Sequence, residues 1–434
     1  MVRLYEKLQS DLKINPNAPA RVIYARDTRA SGATLVASLV DALKAAGAEY
    51  TDYKLLTTPQ LHYLVRCVNT KGTQYAYGDV SENGYYEKLA AAFKQAMKHC
   101  KANGAVTVDC ANGVGGPKLR ELVKHLPKEL IEIKVVNDDV LKPENLNMQC
   151  GADYVKTQQR APPSSKASAL DRCASLDGDA DRLVYYFVDN NNTFHLLDGD
   201  RIATLAASFI ADLARHSGLS EKLSIGIVQT AYANGSSTKY VTDTLKIPVK
   251  CTNTGVKHLH HAATQFDIGV YFEANGHGTV LFSNRAIKDI GKYEPKSPAQ
   301  ADALETLKAL SNLINQAVGD ALSDMLMVEV ILAHKDWGMK EWLNTYVDLP
   351  NRLVRVEVRD RSIFRAVDAE RKLESPEGAQ KEIDDLVGKF IKGRSFARAS
   401  GTEDAVRVYA EAGSRGEADD LATKVANVVR KYGS

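Results

Sequence analysis

ARVIYARDTRASGATLVASLVDALKAAGAEYTDYKLLTTPQ, residues 20–60, reads as strand, polar turn, helix, strand and turn. Val22, Ile23 and Tyr24 favour a strand, RDTRASG carries turn chemistry, and Leu35, Leu39, Ala42 and Leu43 recur at helical spacing. Gly47 stands where a glycine would cap that helix. This is one βαβ-like unit, and its grammar returns along the chain. GAVTVDCANGVGGPKLRELVKHL (104–126) is again strand, glycine-rich turn and helix, followed by the strand IEIKVVND and a polar tract at 138–168. The helix LDGDRIATLAASFIADLARH opens a third unit, whose apolar strands lie in LSIGIVQ and IGVYFEANGHGTVLF. SNRAIKDIGKYEPKSPAQ (283–300) reads as a linker. From about Trp337 the pattern changes: RLVRVEVRDRSIF alternates like a half-exposed strand, and helix AQKEIDDLVGKF, turn RASGTED, strand AVRVYAEA and a final helix follow. Repeated strand–turn–helix grammar predicts α/β units with mainly parallel sheets, ending in an α+β domain. The helix YYEKLAAAFKQAMKHC is placed to bridge two units.

A chain of 434 residues exceeds what one core supports, so two to four domains are expected. A net charge of +2 with no long basic run offers nothing to nucleic acid or to an anionic membrane. No run of 18 apolar residues is present, and MVRLYEKLQSDLK has charges where a signal peptide needs its apolar block. The six cysteines, Cys67, Cys100, Cys110, Cys150, Cys173 and Cys251, form no C-x-x-C pair and read as reduced thiols of a cytosolic protein.

Chemistry concentrates in a few loops. CASLDGDADRLVYYFVD (173–189) puts Asp177, Asp179 and Asp181 on alternate positions, with Gly178 and Ala180 keeping the turn slim. Two such charges about 4 Å apart repel by about 1 kcal/mol in water and about 4 kcal/mol at an effective dielectric of 20. Apolar neighbours predict partial burial, so a counter-ion is needed unless the loop is merely a solvated acidic turn. An all-oxygen donor set suits a hard cation, Mg²⁺ by default. The spacing excludes an EF-hand. A phosphatase using Asp177 as nucleophile fits poorly, because Asp181 stands where Thr or Val is wanted. RASGTEDAVRVYAEA (398–412) combines a small-residue turn, Ser400, Gly401 and Thr402, with Arg398 and Arg407. It reads either as a phosphate cradle or as a polar turn with surface arginines. FEANGHG presents Glu273, Asn275 and His277, suited to sugar hydroxyls or to a plain hairpin with Asn-Gly at its tip. His258 and His261 are one helical turn apart but lack a third ligand for zinc, so surface or core histidines are expected. ANGVGG (111–116) fails the dinucleotide fingerprint, since Lys118 occupies the third glycine's place, and reads as a structural turn.

Taken in order, RDTR, DGDADR, FEANGHG and RASGTEDAVRVYAEA resemble the α-D-phosphohexomutase superfamily. LLTTPQLHYLV, VDCANGVGG, VQTAYANGSSTKY, TGVKHLHH and DLPNRLVRV are similar to its eukaryotic branch acting on N-acetylglucosamine phosphates. The resemblance implies an α/β phosphohexomutase-like fold: three similar mixed α/β domains, the first incomplete, plus a C-terminal α+β domain around a central cleft. The expected boundaries are 1–82, 83–197, 198–335 and 336–434. It implies interconversion of N-acetylglucosamine 6-phosphate and 1-phosphate through a phosphoserine and a 1,6-bisphosphate, towards UDP-N-acetylglucosamine. It further implies Mg²⁺ on Asp177, Asp179 and Asp181, with Arg182 beside the transferring group and Arg29 in the cleft. Glu273, Asn275, His277, Thr254, Gly255 and Lys257 would read the sugar, while Arg398, Ser400, Gly401, Thr402 and Arg407 would hold the other phosphate. Sugar phosphates are the implied partners, with no nucleic acid, membrane or protein. Ala399 stands where the family has proline, which should leave the loop intact. The family's nucleophile lies in a Ser-His-Asn-Pro-like loop upstream of RDTR. Here 25 residues precede RDTR and none of the ten histidines follows a serine, so the catalytic serine and the first strands of domain 1 are expected to lie outside this chain.

Overall fold

The structure, a computed structural model, describes residues 2–15, 18 and 20–434. Strands Arg21–Arg26 (β1) and Glu49–Leu55 (β2) pair in parallel across the helix Gly32–Ala45. The helix forms at the expected spacing; Leu43 is buried, but Leu35 and Leu39 are 65% and 39% exposed, so the apolar stripe is only partly covered. The turn expected at Thr57–Gln60 is instead a helix start. The Thr57 hydroxyl accepts from the Gln60 N–H at 3.1 Å, and Gln60 Oε1 accepts from the Thr57 N–H at 3.2 Å. This capping box launches the helix Thr58–Thr70.

The second sheet holds Ala105–Asp109 (β3), Glu132–Val136 (β4), Arg172–Leu176 (β5), Leu183–Val188 (β6) and Phe194–Leu197 (β7), in the order β4-β3-β5-β6-β7. Its first three strands are parallel and its last two antiparallel, so the sheet is mixed. The polar tract before β5 is not wholly irregular; it contains the helix Gly151–Gln158, seated by buried Ala152 and Val155. The third sheet holds Ile225–Gln229 (β8), Val249–Cys251 (β9), Ile268–Phe272 (β10) and Gly278–Phe282 (β11), ordered β11-β10-β8-β9. The stretch expected as a linker contains the helix Asn284–Lys292. Ser283 caps it by accepting from the Ala286 N–H at 3.0 Å, and Ala286 and Ile290 are buried one turn apart.

The helix Glu82–Ala96 buries Tyr85, Leu89, Phe93 and Ala96 along one side and packs on the helices Gly115–His125, Pro298–Leu313 and Ala321–Lys335. It thereby welds the second sheet's layer to the third's, and one continuous core runs from Leu56 to Trp342. The C-terminal unit has a separate core between Val356 and Val429. It is built on Asn351–Glu357 (β12), the hairpin Arg365–Val367 (β13) and Lys372–Ser375 (β14), then Arg394–Ala399 (β15) and Ala405–Glu411 (β16). Strands β12, β16 and β15 form an antiparallel sheet in that order, backed by the helices Ala379–Val387 and Arg415–Gly433. All six cysteines are free thiols, four of them buried. Among the described residues no helix is long and apolar enough to cross a membrane.

Candidate active site

The aspartate loop leaves the carboxyl end of β5. Asp177 is 6% exposed, and its Oδ1 accepts the N–H groups of Asp181 and Arg182 at 3.0 and 3.2 Å. The ANGVGG turn is the support beneath it. The Val114 N–H donates to the Gly178 carbonyl at 3.1 Å, and a Cβ on Gly113 would lie 2.3 Å from that same oxygen. Only glycine allows this approach, so ANGVGG serves as a structural turn, as its failed fingerprint predicts.

The three carboxylates each offer an oxygen, and these oxygens lie within 4.8 Å of one another. Burial, then the charges of Asp181 and Asp179, push the Asp177 carboxyl well above the usual range. Asp181 Oδ1 is buried and has no hydrogen-bond partner. Arg182 offsets part of the charge: its Nε lies 3.8 Å from both Asp177 and Asp181, while its Nη1 donates to Asp153 at 3.1 Å. A crowded, partly orphaned, all-oxygen donor set fits a hard divalent cation. Among the described residues it is the one cluster of His, Cys, Asp and Glu close enough to share a metal. His258 and His261 are exposed on the helix Val256–Ala263, as expected for surface residues.

Two other segments close on this loop. Thr58 Oγ1 donates to Asp179 Oδ2 at 2.7 Å, and Arg29 Nη2 lies 3.6 Å from Asp179 Oδ1. From the third sheet, the β10–β11 hairpin turns at Gly276, whose φ is 89°. The Gly276 carbonyl accepts from the Leu183 N–H at 3.1 Å, and His277 Nδ1 lies 3.4 Å from Asp181 Oδ2. His277, expected to read a sugar, is thus set against the aspartates and is 8% exposed. Glu273 Oε1 accepts the Gly255 N–H at 3.2 Å, which joins Thr254–Gly255 to the hairpin. Lys257 is exposed in the first turn of the following helix. A cavity of about 940 Å³ opens beside this loop, lined by Thr254, Glu273 and Asn275 with Tyr232, Asp198 and Arg415. Among the described residues, Asp177, Asp179, Asp181 and Arg398 are not in its lining.

The phosphate-cradle candidates lie on the C-terminal sheet. Register places Arg398 opposite Arg407 and Arg407 opposite Arg355, a row of three guanidiniums across three strands. Like charges directly opposite destabilise a sheet, so such a row needs anions. Glu403 supplies one, accepting from Arg407 Nη2 at 2.6 Å and from Arg355 Nη2 at 2.8 Å. Glu370, on the β13–β14 hairpin, approaches Arg398 Nε at 3.2 Å. Ser400 is buried with its N–H on the Ala405 carbonyl at 2.8 Å, while Gly401 and Thr402 are exposed at the tip. Arg355, Glu370, Asp153 and Thr58 escape sequence reading, because each acts through partners on other strands or helices and no local motif marks them; Glu403 lies inside the RASGTED motif but is not singled out there.

Known proteins supply the family. Models of phosphoacetylglucosamine mutase AMG1, domains II and III, match residues 71–184 and 198–337. Models of the phosphoglucomutase/phosphomannomutase α/β/α domain I and C-terminal domain match residues 6–78 and 353–428. Phosphoacetylglucosamine mutase 2 of Schizosaccharomyces pombe is 52% identical over 417 residues, 96% of this chain and 76% of its own. The Homo sapiens phosphoacetylglucosamine mutase is 47% identical over 99% of this chain and 79% of its own. The crystal structure of Aspergillus fumigatus N-acetylphosphoglucosamine mutase in complex with GlcNAc-6P and magnesium superposes with a TM-score of 0.96 at 68% identity. It covers 99% of this chain and 81% of that one. The chain has the phosphohexomutase fold and belongs to the phosphoacetylglucosamine mutase family of isomerases.

Proposed function

We propose that the chain binds N-acetylglucosamine phosphates with Mg²⁺ and takes part in interconverting the 6-phosphate and the 1-phosphate in the cytosol, supplying UDP-N-acetylglucosamine synthesis. The observation that carries this reading is the cluster Asp177, Asp179 and Asp181, whose carboxylate oxygens crowd within 4.8 Å and leave the buried Asp181 Oδ1 without a hydrogen bond. A relative's complex with GlcNAc-6P and magnesium supports the choice of sugar and ion.

Asp177, Asp179 and Asp181 would hold Mg²⁺, which when bound neutralises charge on a phosphoryl group in transfer. Arg182, anchored by Asp153, keeps a guanidinium beside the aspartates for the same phosphoryl oxygens. Arg29 reaches the loop from the first sheet. Glu273 and Asn275, with Thr254 and Gly255, offer acceptors and donors to the sugar hydroxyls and amide, and Lys257 adds an exposed cation beside them. Arg398, Arg407, Ser400, Gly401 and Thr402 hold the phosphate that is not moving, and His277 steadies Asp181. The route passes through a 1,6-bisphosphate, and the Aspergillus fumigatus protein has been crystallised with glucose 1,6-bisphosphate. It also passes through a phosphoserine, yet no serine of this chain stands before a histidine. The four expected divisions, 1–82, 83–197, 198–335 and 336–434, assign the first approach, the metal, the sugar and the phosphate to one domain each.

Calorimetry with GlcNAc 6-phosphate and Mg²⁺ tests the reading. Saturable binding that weakens in Asp179→Asn is expected, and no binding at millimolar ligand overturns it. Adding a 1,6-bisphosphate primer then separates two cases: sustained conversion would show that a Ser-His loop is dispensable, and binding without conversion would mark a sugar-phosphate clamp. Release of inorganic phosphate abolished by Asp177→Asn would replace both with a phosphatase.

A further inference from the structure

At the tip of the β13–β14 hairpin, Asp368, Ala369 and Glu370 have φ of 53°, 55° and 65°. Each left-handed non-glycine residue costs on the order of 1 kcal/mol or more, and persists only where surroundings hold it. Strands of three and four residues give little support of their own. Two contacts hold the tip instead. Arg371 Nη2 donates to Asp368 Oδ1 at 2.6 Å. Glu370 reaches across to the third sheet's loop, where its Oε2 accepts the Thr254 N–H at 3.0 Å and the Thr254 hydroxyl at 2.5 Å. The same oxygen lies 3.2 Å from Arg398 Nε.

One carboxylate oxygen therefore serves Thr254 on the large core and Arg398 on the small one. Tyr232 packs its ring on Phe396 and Tyr409 in the middle of β15 and β16 and meets the Arg398 guanidinium, and further links lie at the far end of the two strands. Arg394 donates to the carbonyls of Ala231 and Ala233 at 2.7 and 2.6 Å, and Glu411 accepts from the Gly235 N–H at 3.1 Å. Those contacts fix where the C-terminal unit is attached; Glu370 is the group that ties the end bearing Arg398 to the Thr254 loop itself. It pairs with Nε as a charge without a hydrogen bond to it, and the guanidinium carries four further N–H donors on its terminal nitrogens.

We propose that Glu370 is a positioning residue that couples the two halves of the substrate site, setting the spacing at which a sugar and its phosphate are read together. This rests on assigning the Thr254 and Arg398 loops to one sugar phosphate. A ligand spanning both loops gains from their preset spacing because the ordering cost is met before binding.

Two measurements on the full chain test this. In amide hydrogen exchange without ligand, Glu370→Ala should lose protection across residues 252–256, while the rest of the third sheet keeps its own. In calorimetry with Mg²⁺, GlcNAc 6-phosphate should bind about tenfold more weakly in Glu370→Ala, consistent with a coupling of that order. Thr254→Val should add little in the Glu370→Ala background, since both remove one link. Glu370→Asp should restore part of the affinity, a rescue that simple destabilisation would not give. Unchanged or tighter binding in Glu370→Ala overturns the coupling and would recast the carboxylate as a competitor of the phosphate. Retained exchange protection overturns it as well. Absence of binding in the unsubstituted chain overturns the function reading, and with it this role, whereas normal binding with an inert Glu370 removes the role alone.

Discussion

At Gly113 an added Cβ would lie 2.3 Å from the Gly178 carbonyl, whereas at Gly401 it would meet nothing within 4 Å. The aspartate loop is buried, packed from beneath by ANGVGG and stitched to Thr58, Arg29 and His277. The arginine row ends in an open turn, and its charges are balanced by Glu403 and Glu370, which an incoming anion can exchange with. One site tolerates its charge by rigid burial until a cation arrives. The other carries a provisional anion in water. The geometry of a metal demands ligands fixed in advance, while a phosphate at the end of a sugar can be met by arginines whose partners are displaceable.

The contrast can be broken most directly through the two glycines. Gly113→Ala should destabilise the chain by about 3 kcal/mol and abolish Mg²⁺ binding, because the obstructing atom is backbone. Gly401→Ala should stay within about 0.5 kcal/mol in the same urea titration. Equal tolerance at both positions would dissolve the distinction.

A second test concerns charge. In the folded chain Asp177 keeps its proton over a range in which the unfolded chain has lost it. Its contribution is therefore complete below about pH 4 and is lost as pH rises towards the raised value. In EDTA, stability should fall with rising pH above about 4. Asp177→Asn, which can still accept from the Asp181 and Arg182 N–H groups, should flatten that slope and raise neutral-pH stability by about 1–2 kcal/mol. The same substitution should remove most of the thermal stabilisation that Mg²⁺ gives the unsubstituted chain. A steeper slope in Asp177→Asn would contradict the assignment.

The smallest effects belong to the arginine row. Arg407→Ala should weaken GlcNAc 6-phosphate binding about tenfold, or about 1.4 kcal/mol. Glu403→Gln should tighten it a few-fold by freeing two guanidiniums, with little change in stability because solvent screens these pairs. Added salt should shrink both effects. Opposite signs for Glu403→Gln and Arg407→Ala in calorimetry are the outcome that matters.

The aspartate loop was legible because its candidate ligands are alternate residues of one turn. Arg398 and Arg407 were legible for the same reason, flanking a single small-residue turn. Arg355 was not, since only the pairing of β12 with β16 brings it into the row. Thr58 and Asp179 are 121 positions apart, and Thr254 and Glu370 are 116 apart, distances at which no local pattern speaks. The capping box at Thr57–Gln60 was written in the sequence, but its run of threonines and proline reads equally as a turn until a helix is seen to follow. The helix Asn284–Lys292 was masked by its charges, which outnumber the two apolar residues it buries. Leu35 and Leu39 show the converse: their spacing predicted the helix correctly, yet spacing says nothing about what covers it.

The division between the core from Leu56 to Trp342 and the smaller one from Val356 to Val429 has a thermodynamic consequence. Separate cores can open with different free energies. On the proposed assignment, a ligand spanning Glu273 and Arg407 would be bound only while both units are intact, so its binding energy would be lost when either unfolds. Occupancy would thereby join the two transitions into one and protect the smaller unit.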